Sequence, residues 1–421
     1  MKIVIVGAGI GGLAAALSLH AAGFHDVVVH ERVRELKPLG VGINLLPHAV
    51  RELTELGLRE RVAAIGVPPG RLSYANRFGQ PVWSEPRGLD AGYRWPQLSV
   101  HRGEFQLLLA REVEARLGSG AIRLGQRFDG VEHREATEIA RFTDAAGRES
   151  AVEADLVIGA DGIHSALRRQ WYPDEGAPPW NGLVLWRGTA IVPQFLDGRT
   201  MIMAGDGEQK FVAYPLVAPG ADSGMRRINF IAERRAPDGV GETADWNRPV
   251  DAAPIVELFA DWRFDWLDVP GVIAAADEIL EYPMVDREPL PQWTFGRTTL
   301  IGDAAHALYP NGSNGASQAI IDARTLAFEL ATRPTVDDAL EAYEAERRPA
   351  TARLHEMTRQ LGPERVMQLA HDRAPDGFDD IDDVIPLAER EQIAADYKLA
   401  AGFHPERLNE RVSLTPPPRH P

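Results

Sequence analysis

The sequence of 421 residues contains no cysteine. That absence excludes disulfide bonds, iron–sulfur clusters, a thiol nucleophile and any cofactor attached through a cysteine sulfur. It fits a reducing compartment such as the cytoplasm, in which disulfide bonds are rare.

The sequence also lacks a long hydrophobic run and an excess of positive charge. No apolar stretch approaches the roughly 20 residues that a membrane-spanning helix needs. Lysine and arginine together number 45 against 61 acidic residues, so the formal net charge is −16. A general attraction to nucleic acid or to an anionic membrane is therefore not expected. We predict a cytoplasmic protein without a nucleic-acid or membrane partner.

What is present is the composition of a globular protein, with 44% hydrophobic and 25% charged residues. The length allows two domains that share a large core. The twelve histidines show no ligand pattern beside acidic residues on a predicted helix, so we predict no metal site.

The first motif lies at the N-terminus, where residues 7–12 read GAGIGG after the apolar run 3–6. In a dinucleotide site, Gly7 would permit a tight turn and Gly9 would let the backbone approach a pyrophosphate. Gly12 would let the helix pack closely on the strand. The N–H groups at the start of this helix would then bind the phosphates. A signal peptide would explain none of these glycines.

The next apolar run, residues 27–29, ends shortly before Glu31 and Arg32. An acid at this position accepts hydrogen bonds from ribose hydroxyls, and we assign both residues to a cofactor site. A glycine-rich turn followed by a solvated glutamate is the alternative interpretation. The motif alone does not distinguish FAD from NAD.

Two similar transitions from strand to helix occur farther along the chain. Residues 161–168 read DGIHSALR, and residues 302–306 read GDAAH. Taken alone, the first could be a β-turn before a capped helix, with Arg168 in solvent. Taken alone, Asp303 could be only a helix N-cap. An NAD dehydrogenase, however, needs no motif that resembles residues 302–306.

In this order, the three motifs resemble those of the FAD-dependent aromatic hydroxylases of the para-hydroxybenzoate hydroxylase class. The resemblance implies a non-covalently bound FAD, with Asp303 on its ribityl chain. It places Asp161 in a signature that serves both FAD and nicotinamide. It also implies that Gly315 and Ala316 face the pyrimidine edge of the flavin, where a helix N-terminus stabilises negative charge.

Further positions match the same class. Arg102 and Gln106 match an arginine and a glutamine that hold the phosphates and ribose of the flavin cofactor. Gly42 and Ile43 match a flavin-contact loop, in which glycine lets the backbone approach the ring. Because FAD takes the single GxGxxG segment, the resemblance implies that NADH or NADPH docks transiently as co-substrate.

Within the class, four segments resemble the phenazine monooxygenases: residues 39–44, 82–88, 282–287 and 314–319. Ser313 and Asn314 stand where the wider class has Gly-Gln, and Ser317 replaces an asparagine. The phenazine monooxygenases share these departures, so the departures point to that subfamily within the class. The resemblance implies that NAD(P)H and O2 are used to hydroxylate an aromatic or heteroaromatic, phenazine-like carboxylic acid. The reaction would pass through a C4a-hydroperoxyflavin, with or without decarboxylation.

A planar substrate pocket is expected between the flavin and a β-rich region. We select as candidate substrate-binding residues Trp186, Arg187, Met203, Tyr214 and Tyr309, with Tyr93 and Trp95 as further options. Each could instead belong to the core. Arg187 could pair with a carboxylate in a bidentate manner, or be a surface charge. For His306, a structural role in the turn is favoured over that of a catalytic base.

The predicted fold class is α/β, with a Rossmann-like FAD-binding domain, an antiparallel-sheet substrate domain and C-terminal helices. The predicted boundaries are residues 1–169 and 291–362 for the FAD-binding domain, 170–290 for the substrate domain, and 363–421 for the C-terminal helical segment and tail. Helices are predicted over residues 12–22, 47–65, 103–117, 314–331 and 336–362. The β-rich runs after residue 182 predict an antiparallel meander, which needs only short connections. We predict a monomer or homodimer.

Other functions remain open at this stage. The alternatives on the same fold are a hydroxylase of salicylate- or quinolone-type substrates, a flavoprotein reductase and a flavin-dependent halogenase. The Trp-x-Trp-x-Ile-Pro segment of halogenases is missing from the sequence. A redox-sensing flavoprotein would lack a pocket for an aromatic substrate. A plain NAD dehydrogenase would leave the second and third motifs unexplained.

Overall fold

The structure, a computed structural model, describes residues 1–217, 224–236 and 248–417. Parts of the predicted substrate domain (residues 218–223 and 237–247) and of the predicted tail (residues 418–421) lie outside the described residues. The described strands are β1 (Lys2–Val6), β2 (Asp26–His30), β3 (Gly42–Leu45), β4 (Gly66–Val67), β5 (Arg71–Ala75), β6 (Pro81–Pro86), β7 (Leu98–His101), β8 (Ile122–Arg123), β9 (Gln126–Arg134), β10 (Thr137–Asp144), β11 (Glu149–Ala154), β12 (Leu156–Gly159), β13 (Trp180–Pro193), β14 (Thr200–Gly205), β15 (Gln209–Leu216), β16 (Met225–Arg235), β17 (Arg248–Val250), β18 (Arg263–Phe264), β19 (Leu267–Asp268), β20 (Ala276–Val285) and β21 (Thr298–Leu300).

The described helices surround these strands and extend past them at the C-terminal end. The α-helices are α1 (Ile10–Ala21), α2 (Pro47–Glu55), α3 (Arg59–Ala64), α4 (Arg102–Leu117), α5 (Ala166–Trp171), α6 (Ala252–Leu258), α7 (Val269–Ala274), α8 (Asp303–His306), α9 (Gly315–Thr332), α10 (Val336–Arg359), α11 (Arg365–Arg373), α12 (Ile381–Val384), α13 (Leu387–Ala400) and α14 (Pro405–Glu410). Short 3₁₀ turns cover Gly88–Ala91, Pro173–Glu175 and Gly362–Glu364.

Five parallel strands form the first sheet, in the order β21-β12-β1-β2-β8. β1 is apolar and almost entirely buried, as expected for a parallel strand covered by helices. α1, rich in alanine and leucine, packs against α4 and α9. β1, β12 and β21 each end where one of the three motifs begins. Because the carboxyl ends of parallel neighbours lie at one edge of a sheet, this edge brings the motifs together.

The second sheet has eight strands, in the order β17-β20-β13-β16-β15-β14-β5-β6. The predicted meander was wrong in its order, because β13 pairs with β16 and β20 and not with β14. β14 pairs in parallel with β5, so β5 and β6 join this sheet from a segment predicted to belong to the FAD-binding domain. Parallel partners are never joined by a tight turn, and the local residue pattern therefore cannot identify them.

Most predicted helices agree with the structure to within three residues at each end, including α1, α4, α9 and α10. The single helix predicted over residues 47–65 was wrong, since the segment forms two helices, α2 and α3. Gly57 lies between them with a φ of 76°. This left-handed conformation ends a helix and is accessible to glycine at little cost.

The C-terminal helices pack on one end of the eight-stranded sheet. Val366, Met367 and Ala370 of α11 share a buried cluster with Leu72 and Met201 of the sheet. The architecture confirms the predicted α/β class with its C-terminal helices. Across the three described ranges, no helix is both long and apolar enough to cross a membrane.

Candidate active site

A cavity of about 350 Å³ lies between the carboxyl edge of the parallel sheet and the eight-stranded sheet. Two sets of sequence-predicted residues meet on its wall. Of the residues predicted for the cofactor, those on the cavity wall are Gly9, Gly42, Ile43, Arg102, Asp303, Gly315 and Ala316. Of the residues predicted for the substrate, those on the cavity wall are Arg187, Met203, Tyr214 and Tyr309. The fold therefore brings both sets, which are dispersed over the chain, to one cavity.

The three glycines of the first motif occupy different surroundings. Gly7 has a φ of 104° and lies against Ala160, the residue after β12, where a Cβ atom would overlap the carbonyl oxygen of Ala160. At Gly12 a Cβ atom would overlap the carbonyl oxygen of Gly7. At Gly9 a Cβ atom would meet no protein atom within 4 Å. Gly9 thus leaves open space on the cavity wall at the start of α1, where a pyrophosphate would bind.

Glu31 and Gln106 hold the turn of the first motif and do not line the cavity. A Glu31 carboxylate oxygen accepts a hydrogen bond from the N–H of Ala8 at 2.8 Å. Gln106 donates its amide hydrogen to the carbonyl of Ala8 at 2.7 Å. Arg32 is exposed. These contacts keep the backbone N–H groups of the turn in place, which is an indirect contribution to a phosphate site.

The second motif, residues 161–168, forms hydrogen bonds that hold the third motif, residues 302–306, in position. Asp161 accepts the N–H of Ala166 at 2.7 Å, and burial raises the pKa of its carboxyl group. Arg168 is buried and donates to the carbonyl oxygens of Ala304 and Ala305 at 3.3 and 3.1 Å. The alternative that left Arg168 in solvent is therefore wrong. The arginine fixes the turn that presents Asp303 to the cavity.

Asp303 begins α8 on the cavity wall, where the residue is exposed to the open space of the cavity. Partial desolvation by the surrounding protein raises the pKa of its carboxyl group. A ligand bound in the cavity would displace water from this carboxylate, which is costly unless the carboxylate receives hydrogen bonds from the ligand. The hydroxyl groups of a ribityl chain are donors of the required kind. The carboxylate of Asp303 on the cavity wall, the open space at Gly9 and the helix N-terminus at Gly315 all fit FAD.

The subfamily residues beside Gly315 connect the loop to neighbouring segments. Asn314 precedes α9 and is almost completely buried. Its side chain is 3.2 Å from the ring of His48 and donates to the hydroxyl of Tyr397 at 3.2 Å. Ser317 accepts the N–H of Leu46 at 3.2 Å. These side chains hold the N-terminus of α9 against the start of α2 and the C-terminal helix α13.

His306 is buried and does not line the cavity. Its Nε2 atom lies 2.5 Å from Asp322, and Asp322 also accepts the N–H of Gly302 at 2.9 Å and Nε of Arg347 at 2.7 Å. Burial would raise the pKa of Asp322, but His306 and Arg347 outweigh burial and lower it to about 2. His306 thus belongs to a buried cluster that supports the third motif.

The depressed pKa of Asp322 predicts how stability changes with pH. Ionised Asp322 stabilises the folded state above its ordinary pKa of 3.8, and the effect is lost as pH falls through about 2. The shift corresponds to about 2 kcal/mol at pH 7, and to roughly half of that at pH 3. Urea unfolding of Asp322→Asn and wild type, both without FAD, should show this pH-dependent difference. A difference that stays constant from pH 7 to pH 3 would contradict it.

The substrate side of the cavity is formed by the inward face of the eight-stranded sheet. Arg187 donates to the carbonyl oxygen of Gly42 at 3.1 Å, and its guanidinium carbon lies 5.8 Å from the ring centre of Tyr282. Burial raises the pKa of Tyr214 to about 12, against the opposing effect of Arg187. A Cβ atom on Gly42 would lie 2.7 Å from the ring of Tyr214. The predicted flavin-contact loop therefore packs directly on the predicted substrate residues.

Trp186 does not line the cavity, and this part of the prediction was wrong. Successive side chains of a strand point to opposite faces, so Leu185 and Arg187 face the cavity while Trp186 packs on the other side. The Trp186 indole donates to Glu281 at 2.9 Å. Tyr93 and Trp95, the further options, also lie elsewhere, in and beside a separate apolar cluster.

The sequence interpretation missed three charged residues on the cavity wall: Lys210, Glu233 and Glu364. Lys210 and Glu233 are charged residues at inward positions of β15 and β16. A charged residue at an inward position of an alternating strand pattern is unusual, and this signal could have identified them. Glu364 comes from the Gly362–Glu364 turn. Nothing local in the sequence indicates that this turn reaches the cavity.

Comparison with known proteins supports the cofactor assignment. The FAD binding domain family matches residues 1–178 and 275–358. The phenazine 1,6-dicarboxylic acid hydroxylase PhzS of Lysobacter antibioticus is 46% identical over 363 residues, which cover 85% of this chain and 89% of that protein. The 3-amino-4-hydroxybenzoate 2-monooxygenase of Streptomyces cremeus is 35% identical over 374 residues, 86% of this chain and 87% of that one.

A solved structure agrees over almost the whole chain. The crystal structure of Klebsiella pneumoniae HpxO complexed with FAD and uric acid has a TM-score of 0.75 and 25% identity. The match covers 96% of this chain and 98% of HpxO. These matches confirm the predicted family and its FAD cofactor. The chain belongs to the FAD-dependent monooxygenases that hydroxylate aromatic rings.

Proposed function

We propose that this enzyme uses NADH or NADPH and O2 to hydroxylate a phenazine-like heteroaromatic carboxylic acid. The observation that carries the proposal is the position of Arg187 on the cavity wall beside the flavin-contact loop. The similarity to a phenazine 1,6-dicarboxylic acid hydroxylase supports the ring system. A cytoplasmic location and a monomeric or homodimeric state remain predictions from the sequence.

Arg187 is suited to hold a carboxylate next to the flavin. Nε of Arg187 is buried and has no hydrogen-bond partner among the described residues. A guanidinium group presents its N–H donors in a planar fork that matches both oxygens of a carboxylate. A bound carboxylate would add an acceptor to this guanidinium, one nitrogen of which already donates to the carbonyl oxygen of Gly42.

The remaining wall is suited to a flat apolar ring. Leu185, Met203, Val212 and Ile231 line the cavity from four adjacent strands of the sheet. They exclude water from the space above the sheet, which matters because an activated oxygen species exposed to water decays without hydroxylating the substrate. Bound FAD would supply the activation of oxygen, while these side chains orient the ring and keep it dry.

The N-terminus of α9 provides a positive electrostatic end at the same cavity. Gly315 and Ala316 begin this 18-residue helix on the cavity wall. The free N–H groups of a helix N-terminus carry a partial positive charge. They would stabilise the negative charge that a flavin acquires on reduction by NAD(P)H. The single GxGxxG segment supports transient docking of the nicotinamide cofactor.

The test is the visible spectrum of the purified protein during anaerobic addition of NADH, and separately of NADPH. We expect a yellow protein whose flavin absorbance bleaches at least tenfold faster with phenazine-1-carboxylate than without it. Unsubstituted phenazine and salicylate serve as comparators for the carboxylate and the ring size. If the flavin bleaches at the same rate without any ligand as with each of the three compounds, the proposed substrate is rejected. The assignment of FAD as the cofactor would still stand. In a parallel reaction under air, we expect phenazine-1-carboxylate to give a hydroxylated product.

A further inference from the structure

Lys210, Glu233 and Glu364 form a buried charged cluster on the cavity wall. The Lys210 ammonium lies 3.1 Å from Glu233 and 2.6 Å from Glu364. The three residues are only 4%, 3% and 4% exposed, and all three line the cavity. Buried charges of this kind carry a large desolvation cost.

The cluster lies at the opposite end of the sheet face from the flavin-contact loop. Tyr214 and Lys210 point inward from the same strand, four residues apart, which corresponds to roughly 13 Å. Arg187 reaches toward Gly42 at the Tyr214 end. Val212 lies between the two ends, paired across the strands with Met203 and Ile231. The cavity floor is therefore apolar in the middle, with a cationic side chain at one end and the cluster at the other.

The charge of the cluster determines which chemical groups it can accept. Burial would lower the pKa of Lys210, but Glu233 and Glu364 raise it above its ordinary value, so the lysine is cationic. Burial raises the pKa of Glu233. One ammonium and two carboxyl groups carry at most one net negative charge and have more acceptor than donor capacity. A second carboxylate placed here would be repelled, whereas a hydroxyl, an amine or a protonated nitrogen would donate to the carboxylates.

We propose that the cluster of Lys210, Glu233 and Glu364 determines specificity by accepting a hydrogen-bond donor on the far ring of the substrate and rejecting a second carboxylate there. This inference rests on the proposed function, because Arg187 must hold the first carboxylate. A fused tricyclic ring has the length to reach both ends, and a single benzene ring does not. The preferred substrate is then a heteroaromatic monocarboxylate with a donor group on its distal ring.

The experiment measures dissociation constants of the FAD-loaded enzyme from changes in flavin absorbance. The ligands are 6-hydroxyphenazine-1-carboxylate and phenazine-1,6-dicarboxylate, with phenazine-1-carboxylate as reference. We expect wild type to bind the hydroxy acid at least tenfold more tightly than the dicarboxylate. In Glu233→Gln, which removes one negative charge, this ratio should fall at least fivefold.

Two further variants make the result specific. Glu364→Gln removes a charge from the same cluster through a different chain segment, and it should lower the ratio even if Glu233→Gln fails to fold. Glu208→Gln is the control, because Glu208 is an exposed glutamate that pairs with Arg235 away from the cavity. Its ratio should equal that of wild type. FAD content and melting temperature are recorded for each variant.

The outcomes separate the inference from the proposed function. If the phenazine acids bind but wild type favours the dicarboxylate, or if neither cluster variant changes the ratio, the inference alone is overturned. If no phenazine acid perturbs the flavin spectrum, both the proposed function and the inference are overturned. A reduced ratio in the cluster variants with an unchanged ratio in Glu208→Gln supports the inference.

Discussion

Gly9→Ala is expected to leave the FAD-free protein as stable as wild type and to weaken FAD binding at least tenfold. Gly9 precedes α1 with φ −71° and ψ 179°, a conformation that alanine adopts without strain. A Cβ atom there meets no protein atom within 4 Å. It would instead occupy the space through which the backbone approaches the pyrophosphate. The cost should therefore appear only when FAD is bound.

Gly12→Ala is the matched variant with the opposite expectation. Its Cβ atom would overlap the carbonyl oxygen of Gly7, and backbone at this position cannot move aside without separating α1 from β1. We expect the FAD-free protein to lose about 3 kcal/mol or more of its free energy of unfolding. The melting temperature of each apoprotein and the FAD dissociation constant from quenching of flavin fluorescence measure the two effects. Equal losses of apoprotein stability in both variants would contradict the assignment.

Arg187→Met is expected to weaken binding of phenazine-1-carboxylate by about 2 to 4 kcal/mol, which is roughly 30- to 1000-fold. The substitution removes the guanidinium group that would pair with the carboxylate and leaves that anion in a dry cavity. Arg187→Lys keeps the charge but loses the planar fork, so we expect an intermediate loss. Titration of the flavin absorbance with the ligand gives each dissociation constant.

The neighbouring residue and an uncharged ligand supply the controls. Trp186→Phe alters the opposite face of β13 and should bind phenazine-1-carboxylate as wild type does. Unsubstituted phenazine should bind wild type and Arg187→Met equally well, because it has no carboxylate. Because Arg187 also contacts the carbonyl of Gly42, FAD affinity is measured in every variant. Equal weakening of both ligands in Arg187→Met would show that the arginine shapes the cavity without pairing with a carboxylate.

The motifs of the candidate cofactor site could be identified from the sequence because their features are local. The turn at Gly7 and the strand before it lie within a dozen consecutive residues, so one short segment contains every residue that predicts the turn. The same holds for Asp161 and Asp303, each of which lies within three residues of the end of a short buried strand. These local patterns predicted the α/β class, the family and the FAD cofactor. The sheet topology and the family match confirmed them.

The prediction failed where a property depends on which strand lies beside another. The meander order was wrong because β13 and β14 are consecutive in the chain but separated by two strands in the sheet. The choice of Trp186 was wrong because a shift of one residue along a strand moves a side chain to the opposite face. Neither the strand order nor the inward face is recorded in the local pattern of residues.

The sequence by itself determined the strand-to-helix turns, the glycines that they require and the acidic residues that follow them, since these depend on backbone conformation over a few residues. Only the tertiary structure decided that Arg187 faces the predicted flavin-contact loop, and that Glu364 contacts Lys210, a residue 154 positions away in the chain. Such contacts arise when separate elements pack to bury apolar surface. Their position is therefore a property of the whole fold, and no segment of the chain contains it.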